Sequence, residues 1–165
     1  MSAKQILAKH EIIQIIKRMA FEIYEQNHAV NEIYLAGIDD NGVKIAEMIA
    51  ENLKEISPIQ PQLLRIDIEK DIKYQPKVEI SNWPTVDDFS LVVIDDVLNS
   101  GRTMMYAICP FLELKVHKLQ TAVLVNRSHK RFPIAVDFKG LELGTTIEEH
   151  IQVSMDDDDY SAALY

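Results

Sequence analysis

An α/β fold with a central, mainly parallel sheet flanked by helices is the architecture this sequence predicts. Three observations lead there. Short, almost wholly apolar runs recur along the chain: "EIYLAGI" at 32–38, "LVVID" at 91–95 and "KLQTAVLV" at 118–125. Between them lie segments whose apolar residues repeat every three or four positions, the period of a helix with one buried face. Gly, Asn, Asp and Pro mark the junctions. Strands that are apolar on both faces belong inside a parallel sheet covered by helices, where neither face meets water. A chain of 165 residues suits a single domain over 1–165 with a sizeable core.

The elements follow in order. Ile6, Leu7, Ile12, Ile13, Ile16, Met19, Phe21 and Ile23 keep helical spacing and predict a first helix over 4–26. The strand at 32–38 is followed by the turn signal "DDNG" (39–42). A second helix runs from about Val43 to Ile56, with Ile45, Ala46, Ile49, Ala50 and Leu53 inward. "PIQP" closes that unit, and "QLLRIDI" (62–68) is the next strand. Residues 69–90 form a polar, Pro-bearing excursion anchored by Trp83, with a short hairpin strand at "KVEI". After the strand at 91–95 comes a helix over 103–114, which Pro110 should kink by removing one backbone bond. "IAVDF" (134–138) is a fifth strand. The tail, "HIQVSM", "DDDD" and "SAALY", predicts a last strand pair about an acidic turn at 156–159.

The totals exclude several classes. A net charge of −9 provides no general basic field for nucleic acid. The one basic run, "NRSHKR" at 126–131, reads first as a solvated turn. No apolar run approaches the roughly 20 residues that span a bilayer. The charged, amphipathic N-terminus does not read as a signal peptide. Cys109 is alone in the sequence, so neither an internal disulfide nor a cysteine metal site can form. A reducing, cytoplasmic setting is the expectation.

The chemistry concentrates at "LVVIDDVLNSGRT" (91–103), where an apolar strand ends in two adjacent aspartates, then a short loop and a helix. Open parallel sheets bind ligands outside the carboxyl ends of their strands. That rule selects the loops 37–42 and 95–103, which hold three of the five glycines, Gly37, Gly42 and Gly101. Asp95 and Asp96 can accept hydrogen bonds from vicinal hydroxyls. Val97, Leu98, Asn99, Ser100, Gly101, Arg102 and Thr103 supply amides, two hydroxyls and a helix start, which together suit a phosphate. The local reading is a ribose 5-phosphate clamp. Two others stay open: plain turn and capping chemistry, or a receiver-type acidic pair binding magnesium, although that pair ordinarily follows the first strand. His10, His28, His117, His129 and His150 are scattered and read as structural or surface residues.

"VVIDDVLNSGRT" also resembles the phosphoribosyl pyrophosphate (PRPP) signature of type I phosphoribosyltransferases. Within that family the likeness is to the pyrimidine operon regulator/uracil phosphoribosyltransferase group. It continues in "LAGIDDNGVKIAEMIAENL" (35–53) and in "TAVLVNRSHKRFPIAVDFKG" (121–140). The resemblance implies the type I phosphoribosyltransferase fold with a small C-terminal hood over about 135–165, and a lid in the excursion 69–90. It implies that Asp95 and Asp96 hold the ribose hydroxyls and that Val97 to Thr103 hold the 5-phosphate. Ile38, Asp39, Asp40, Asn41 and Gly42 would receive pyrophosphate, and Val136, Asp137 and Phe138 would cover the base. Magnesium (Mg2+) would bridge substrate oxygens, with no ligand assigned to the protein itself. The implied reaction transfers ribose 5-phosphate from PRPP to uracil or a related pyrimidine. The alternative is a PRPP- or nucleotide-sensing regulatory module on the same fold, because "DDNG" stands where the group has a basic or hydroxyl-rich loop. A homo-oligomer is also expected, and RNA only through the run 126–131.

Overall fold

The structure, a computed structural model, describes residues 3–69, 76–127, 129–146, 149–156 and 159–165. Its main sheet has six strands: β2 (Glu32–Ile38), β3 (Gln60–Ile68), β4 (Val78–Ser81), β5 (Phe89–Leu98), β6 (Val116–Arg127) and β7 (Phe138–Leu143). Their order is β4-β3-β2-β5-β6-β7, parallel throughout except for β4, which pairs antiparallel with β3 at one edge. The α/β class with a mainly parallel sheet is therefore observed.

Side-chain alternation along β5 divides the core. Val92 and Ile94 face one layer with helix α1 (Lys9–Asn27) and helix α2 (Asp39–Ile56), whereas Leu91 and Val93 face the other with helix α3 (Arg102–Ile108). Ile45, Ala46, Ile49, Ala50 and Leu53 of α2 are all buried, as their spacing demands. Pro110 ends the α-helix: α3 stops at Ile108 and a 3-10 turn, Cys109–Glu113, continues it. That is the expected response to a missing N–H. Among the described residues no helix is long and apolar enough to cross a membrane.

A second, three-stranded antiparallel sheet is made by β1 (Lys4–Leu7), β9 (Asp159–Leu164) and β8 (Ile151–Asp156), in that order. It corrects the first helix. Residues 4–7 are a strand whose partner, β9, lies at the other end of the sequence, with Lys4 opposite Leu164. Ile6 and Leu7 match a helical period but pack into this sheet's core. Of the remaining apolar positions on α1, Ile13 and Phe21 face outward, at 43% and 49% exposure. β8 and β9 do form the expected last strand pair, with Asp156 opposite Asp159, and the middle of the acidic run, Asp157 and Asp158, lies outside the described residues.

Three further boundaries move. The "DDNG" turn is the first turn of α2, which starts at Asp39 directly after β2. Gln60 and Pro61 belong to β3, where Pro61 lies opposite Ile33. Residues 134–137 are not a strand, and β7 begins only at Phe138. The lid expectation rests on a segment whose residues 70–75, including Lys70 and Lys73, lie outside the described residues.

Candidate active site

The carboxyl ends of β2, β5 and β6 share one edge of the sheet. A cavity of about 490 Å³ opens there, lined by the whole run Asp95 to Thr103 together with Asn41 and Ile151 to Val153. The strand carries Asp95 and Asp96 to this edge, and Gly101 turns the chain back into α3. Gly101 has φ +83°, in the left-handed region that costs an L side chain energy. A Cβ there would also come within 2.5 Å of the Ile134 side chain. The loop is braced from behind, where Ser100 O accepts the amides of Arg131 and Phe132 at 2.9 and 3.1 Å.

The two carboxylates are oriented differently. Asp95 is 8% exposed, and its Oδ1 accepts the amide of Asp96 at 2.9 Å. Asp96 Oδ1 accepts the amide of Val97 at 2.7 Å, while Oδ2 accepts from Asn41 Nδ2, also at 2.7 Å. Asn41 Nδ2 donates in addition to Val153 O at 3.0 Å. One amide group thus ties α2, the end of β5 and the smaller sheet together. The sequence places Asn41 in a loop; the structure makes it the residue that holds Asp96.

The rest of the 38–42 segment is engaged elsewhere. Ile38 is buried at the end of β2. Asp39 adopts φ 51°, and its Oδ1 accepts the amide of Ile68 at 3.1 Å, which fixes the helix start to β3. Asp40 pairs with Arg65 at 2.8 Å, and Arg65 pairs with Asp67 at 2.7 Å. The Arg65 guanidinium between these acids is held charged even more firmly than usual, through its bonds to Asp67 first and Asp40 second. Gly37 and Gly42 serve packing. A Cβ on Gly37 would stand 2.4 Å from the Val43 backbone, and one on Gly42 would stand 2.7 Å from Ile94 O. Both let α2 lie close on the sheet.

Val136, Asp137 and Phe138 do not reach this cavity. Phe138 is buried opposite Ala122, well back from the strand ends. Asp137 Oδ2 accepts the amide of Thr121 at 2.8 Å, and Val136 packs on the α3 side of the core. Ile151, Gln152 and Val153 of β8 supply part of this cavity's wall. Nothing local distinguishes those three residues; they arrive through pairing with β9.

A second cavity, of about 520 Å³, adjoins the loop and shares Asn99 and Ser100 with the first. It gathers Arg127, His129, Lys130, Arg131 and His150. Two histidines that look scattered in sequence therefore share one site. The carboxyl of Glu149, the residue before His150, lies below its ordinary range, because it accepts the Thr146 amide and also bonds the Thr146 side chain, with Arg127 adding a favourable field.

The arrangement of an apolar strand, two acids, an amide-rich bend and a helix around one cavity has relatives. A family model described as the phosphoribosyl transferase domain matches residues 2–158. The chain belongs to this family. Among similar proteins, the bifunctional protein PyrR of Enterococcus faecalis is 31% identical, over 96% of this chain and 93% of the relative. That of Streptococcus mutans is 36% identical, over 94% and 90%. Among solved structures, a hypoxanthine-guanine phosphoribosyltransferase of Bacillus anthracis covers 99% of both chains with a TM-score of 0.76 at 15% identity. The hypoxanthine phosphoribosyltransferase of Trypanosoma cruzi covers 96% of this chain and 95% of its own with a TM-score of 0.77, also at 15% identity. At such identities the structures speak for the fold of this phosphoribosyltransferase, and the fold agrees with the one the sequence predicts.

Proposed function

We propose that the protein transfers ribose 5-phosphate from PRPP to uracil or a related pyrimidine, with release of pyrophosphate. The observation that supports this reading is the single cavity that unites Asp95 and Asp96 with the bend 97–103. In it, Asp95 and Asp96 accept hydrogen bonds from the 2- and 3-hydroxyls of the ribose. The amides and hydroxyls of Val97 to Thr103 hold the 5-phosphate, whose charge suits the unpaired N–H groups of a helix start. Displacement at the anomeric carbon passes through an oxocarbenium-like state. It needs aligned reactants, charge stabilisation of the leaving group and exclusion of water more than it needs a protein nucleophile.

The pyrophosphate side falls at 38–42, where the segment itself carries two acids, Asp39 and Asp40, and no basic residue. Magnesium, when bound, supplies the neutralising charge. Among the described residues no three His, Cys, Asp or Glu side chains gather into a metal cluster. Asp95 and Asp96 are the carboxylates placed to hold a cation that takes its other ligands from phosphate oxygens and water, the usual habit of magnesium. The residues present fit that role.

A second reading has a specific observation behind it. Asp39 and Asp40 are spent on Ile68 and Arg65, so the segment presents no cation to a departing pyrophosphate. A module that binds PRPP or a nucleotide and catalyses poorly fits such a segment, and the relatives are named as bifunctional. The chain acts in the cytoplasm under either reading. Outward Ile13 and Phe21 support a homo-oligomer, and the exposed basic residues 129–131 are the only support for RNA.

Incubation with PRPP, magnesium and a panel of bases decides between the two. Pyrophosphate release with a pyrimidine is expected. Calorimetric binding of PRPP without turnover on any base establishes the sensing module, and neither binding nor turnover overturns both readings.

A further inference from the structure

Arg127 is the last residue of β6 and is only 5% exposed. Its Nε donates to Thr145 Oγ1 at 2.8 Å, one terminal nitrogen donates to Asn99 Oδ1, and the other donates to Thr146 O at 3.1 Å. One guanidinium thus joins three segments that are distant in sequence: the end of β6, the connection between β7 and β8, and the bend after β5. All three acceptors are neutral oxygens. Burying a guanidinium costs free energy, which bonds to neutral groups offset only in part. An apolar staple between the same segments would cost less, so stability alone is a weak reason for an arginine here.

The bond to Asn99 sets the direction of an amide. A guanidinium has five N–H donors and no acceptor, so it can meet only the oxygen end of a side-chain amide. Turning the Asn99 amide over would set its NH2 group against another donor. Arg127 therefore fixes which end of Asn99 is left for a ligand, and that end is the donor. Asn99 is an exposed residue of the bend and lines its cavity. Among the described residues its Nδ2 has no protein partner. A donor held in place beforehand loses little rotamer freedom when a ligand binds, which is how positioning raises affinity.

We infer that Arg127 is a positioning residue of this site: by holding Asn99 Oδ1, it presents Asn99 Nδ2 as a donor to an oxygen of PRPP. Arg127 acts through Asn99 and does not itself touch the substrate. The inference rests on the reading of the bend as the PRPP site, and it adds one side-chain donor to the backbone amides placed there.

The test is a double-mutant cycle on PRPP affinity, read by calorimetry with magnesium on the full chain. Asn99→Ala removes the donor at an exposed position, where folding is not at stake, and should weaken PRPP binding about five- to tenfold. Arg127→Lys keeps the charge but gives up the planar fork, and should weaken binding about fivefold. In the Asn99→Ala background the same Arg127→Lys change should weaken binding less than about twofold, because the amide it acts through is gone. A purely structural role gives the opposite result, equal losses in both backgrounds, and that outcome overturns the inference. An unchanged affinity in Asn99→Ala overturns it too. Should Arg127→Lys not fold, Thr145→Val removes only the oxygen that accepts Nε and closes the same cycle. Its loss of about threefold should vanish in the Asn99→Ala background, and a loss that persists there rejects the inference. Wild-type protein that binds no PRPP defeats the reading of the bend and the inference with it, an outcome distinct from a cycle that binds without coupling.

Discussion

Two strand-to-helix junctions stand side by side at the carboxyl edge of the sheet, and they use their polar residues in opposite ways. After β2 the helix begins at once. Asp39 is bonded to Ile68, Asp40 to Arg65, Asn41 to Asp96 and Val153, and Gly42 is pressed against Ile94 O. After β5 the strand runs on through Asp95 and Asp96, Gly101 turns it in the left-handed region, and a cavity remains between the bend and β8. Both junctions read "apolar strand, Asp-Asp, glycine" in the sequence. The first has its acids satisfied by neighbours within the fold. The second keeps its acids at a cavity wall, where a ligand can meet them.

The largest effect should come from crossing the two. Asp95→Asn with Asp96→Asn keeps the shape and most of the internal hydrogen bonds but removes both charges. PRPP affinity should fall about a hundredfold or more, as expected for losing charge-assisted bonds, while the melting temperature stays nearly unchanged. Gly42→Ala should do the reverse. Its Cβ meets a backbone carbonyl that cannot swing away, so overpacking outweighs the helix preference of Ala. The loss should be about 1–2 kcal/mol, or roughly 3–6 °C in melting temperature, with PRPP affinity little changed in the protein that remains folded. Calorimetry and thermal denaturation on both variants test the contrast. A collapse of stability in the aspartate variant would make its acids structural too.

How far this contrast was legible in the sequence depends on where each residue's partner lies. The strands β2 and β5, the inner face of α2 and a break at Pro110 all follow from neighbours within one element and were legible, although Pro110 ends the α-helix at Ile108 where a kink was expected. The signature at 91–103 was equally so, because strand, acids and bend are consecutive. Residues 4–7 were misread because Ile6 and Leu7 suit a helix and a strand alike, and only β9, at the far end of the sequence, decides between them. The start of α2 at Asp39 was hidden for a similar reason: a positive φ at Asp39 is held by the amide of Ile68 on another strand. The late start of β7 at Phe138 was not legible, nor was the arrival of Ile151, Gln152 and Val153 at the first cavity, which depends on the pairing of β8 with β9. The cationic cavity was half legible as the run 126–131; His150 joins it only in three dimensions.

A smaller effect sharpens the contrast at its one bridge. Asn41 belongs to the closed junction and touches the open one. Asn41→Asp preserves size, removes the donor to Asp96 and to Val153, and sets a like charge beside Asp96. Stability should fall by about 1–2 kcal/mol, since the Val153 carbonyl and an Asp96 oxygen lose their donor and two carboxylates repel. PRPP affinity should fall about tenfold, because Asp96 is no longer held in one orientation. The Asn41→Gln variant, one methylene longer, should recover part of the affinity if orientation is the cause. An Asn41→Asp protein with unchanged affinity would show that the two junctions are independent.

The smallest expected effect concerns the segment that holds Arg127, the residue that donates to Asn99 of the open junction. Glu149 accepts the Thr146 amide, and Thr145 and Thr146 supply two of the oxygens that hold Arg127. The Glu149 carboxyl is depressed in the folded chain, by the Thr146 amide foremost. A group whose folded value is depressed stabilises the fold fully above its unfolded value, and that contribution is lost as pH falls through the folded one. Glu149→Gln keeps an acceptor for the amide and loses only the charge. The wild type should therefore melt slightly above Glu149→Gln near neutral pH, and the gap should close as pH falls to about 3, below the ordinary glutamate range. The side chain is exposed, so solvent screens most of the benefit and added salt should shrink it further. Thermal melts of both proteins across that pH range check the sign. A gap that persists at low pH would mean the turn is held by the hydrogen bond alone, and Arg127 would then owe its placement to geometry and not to charge.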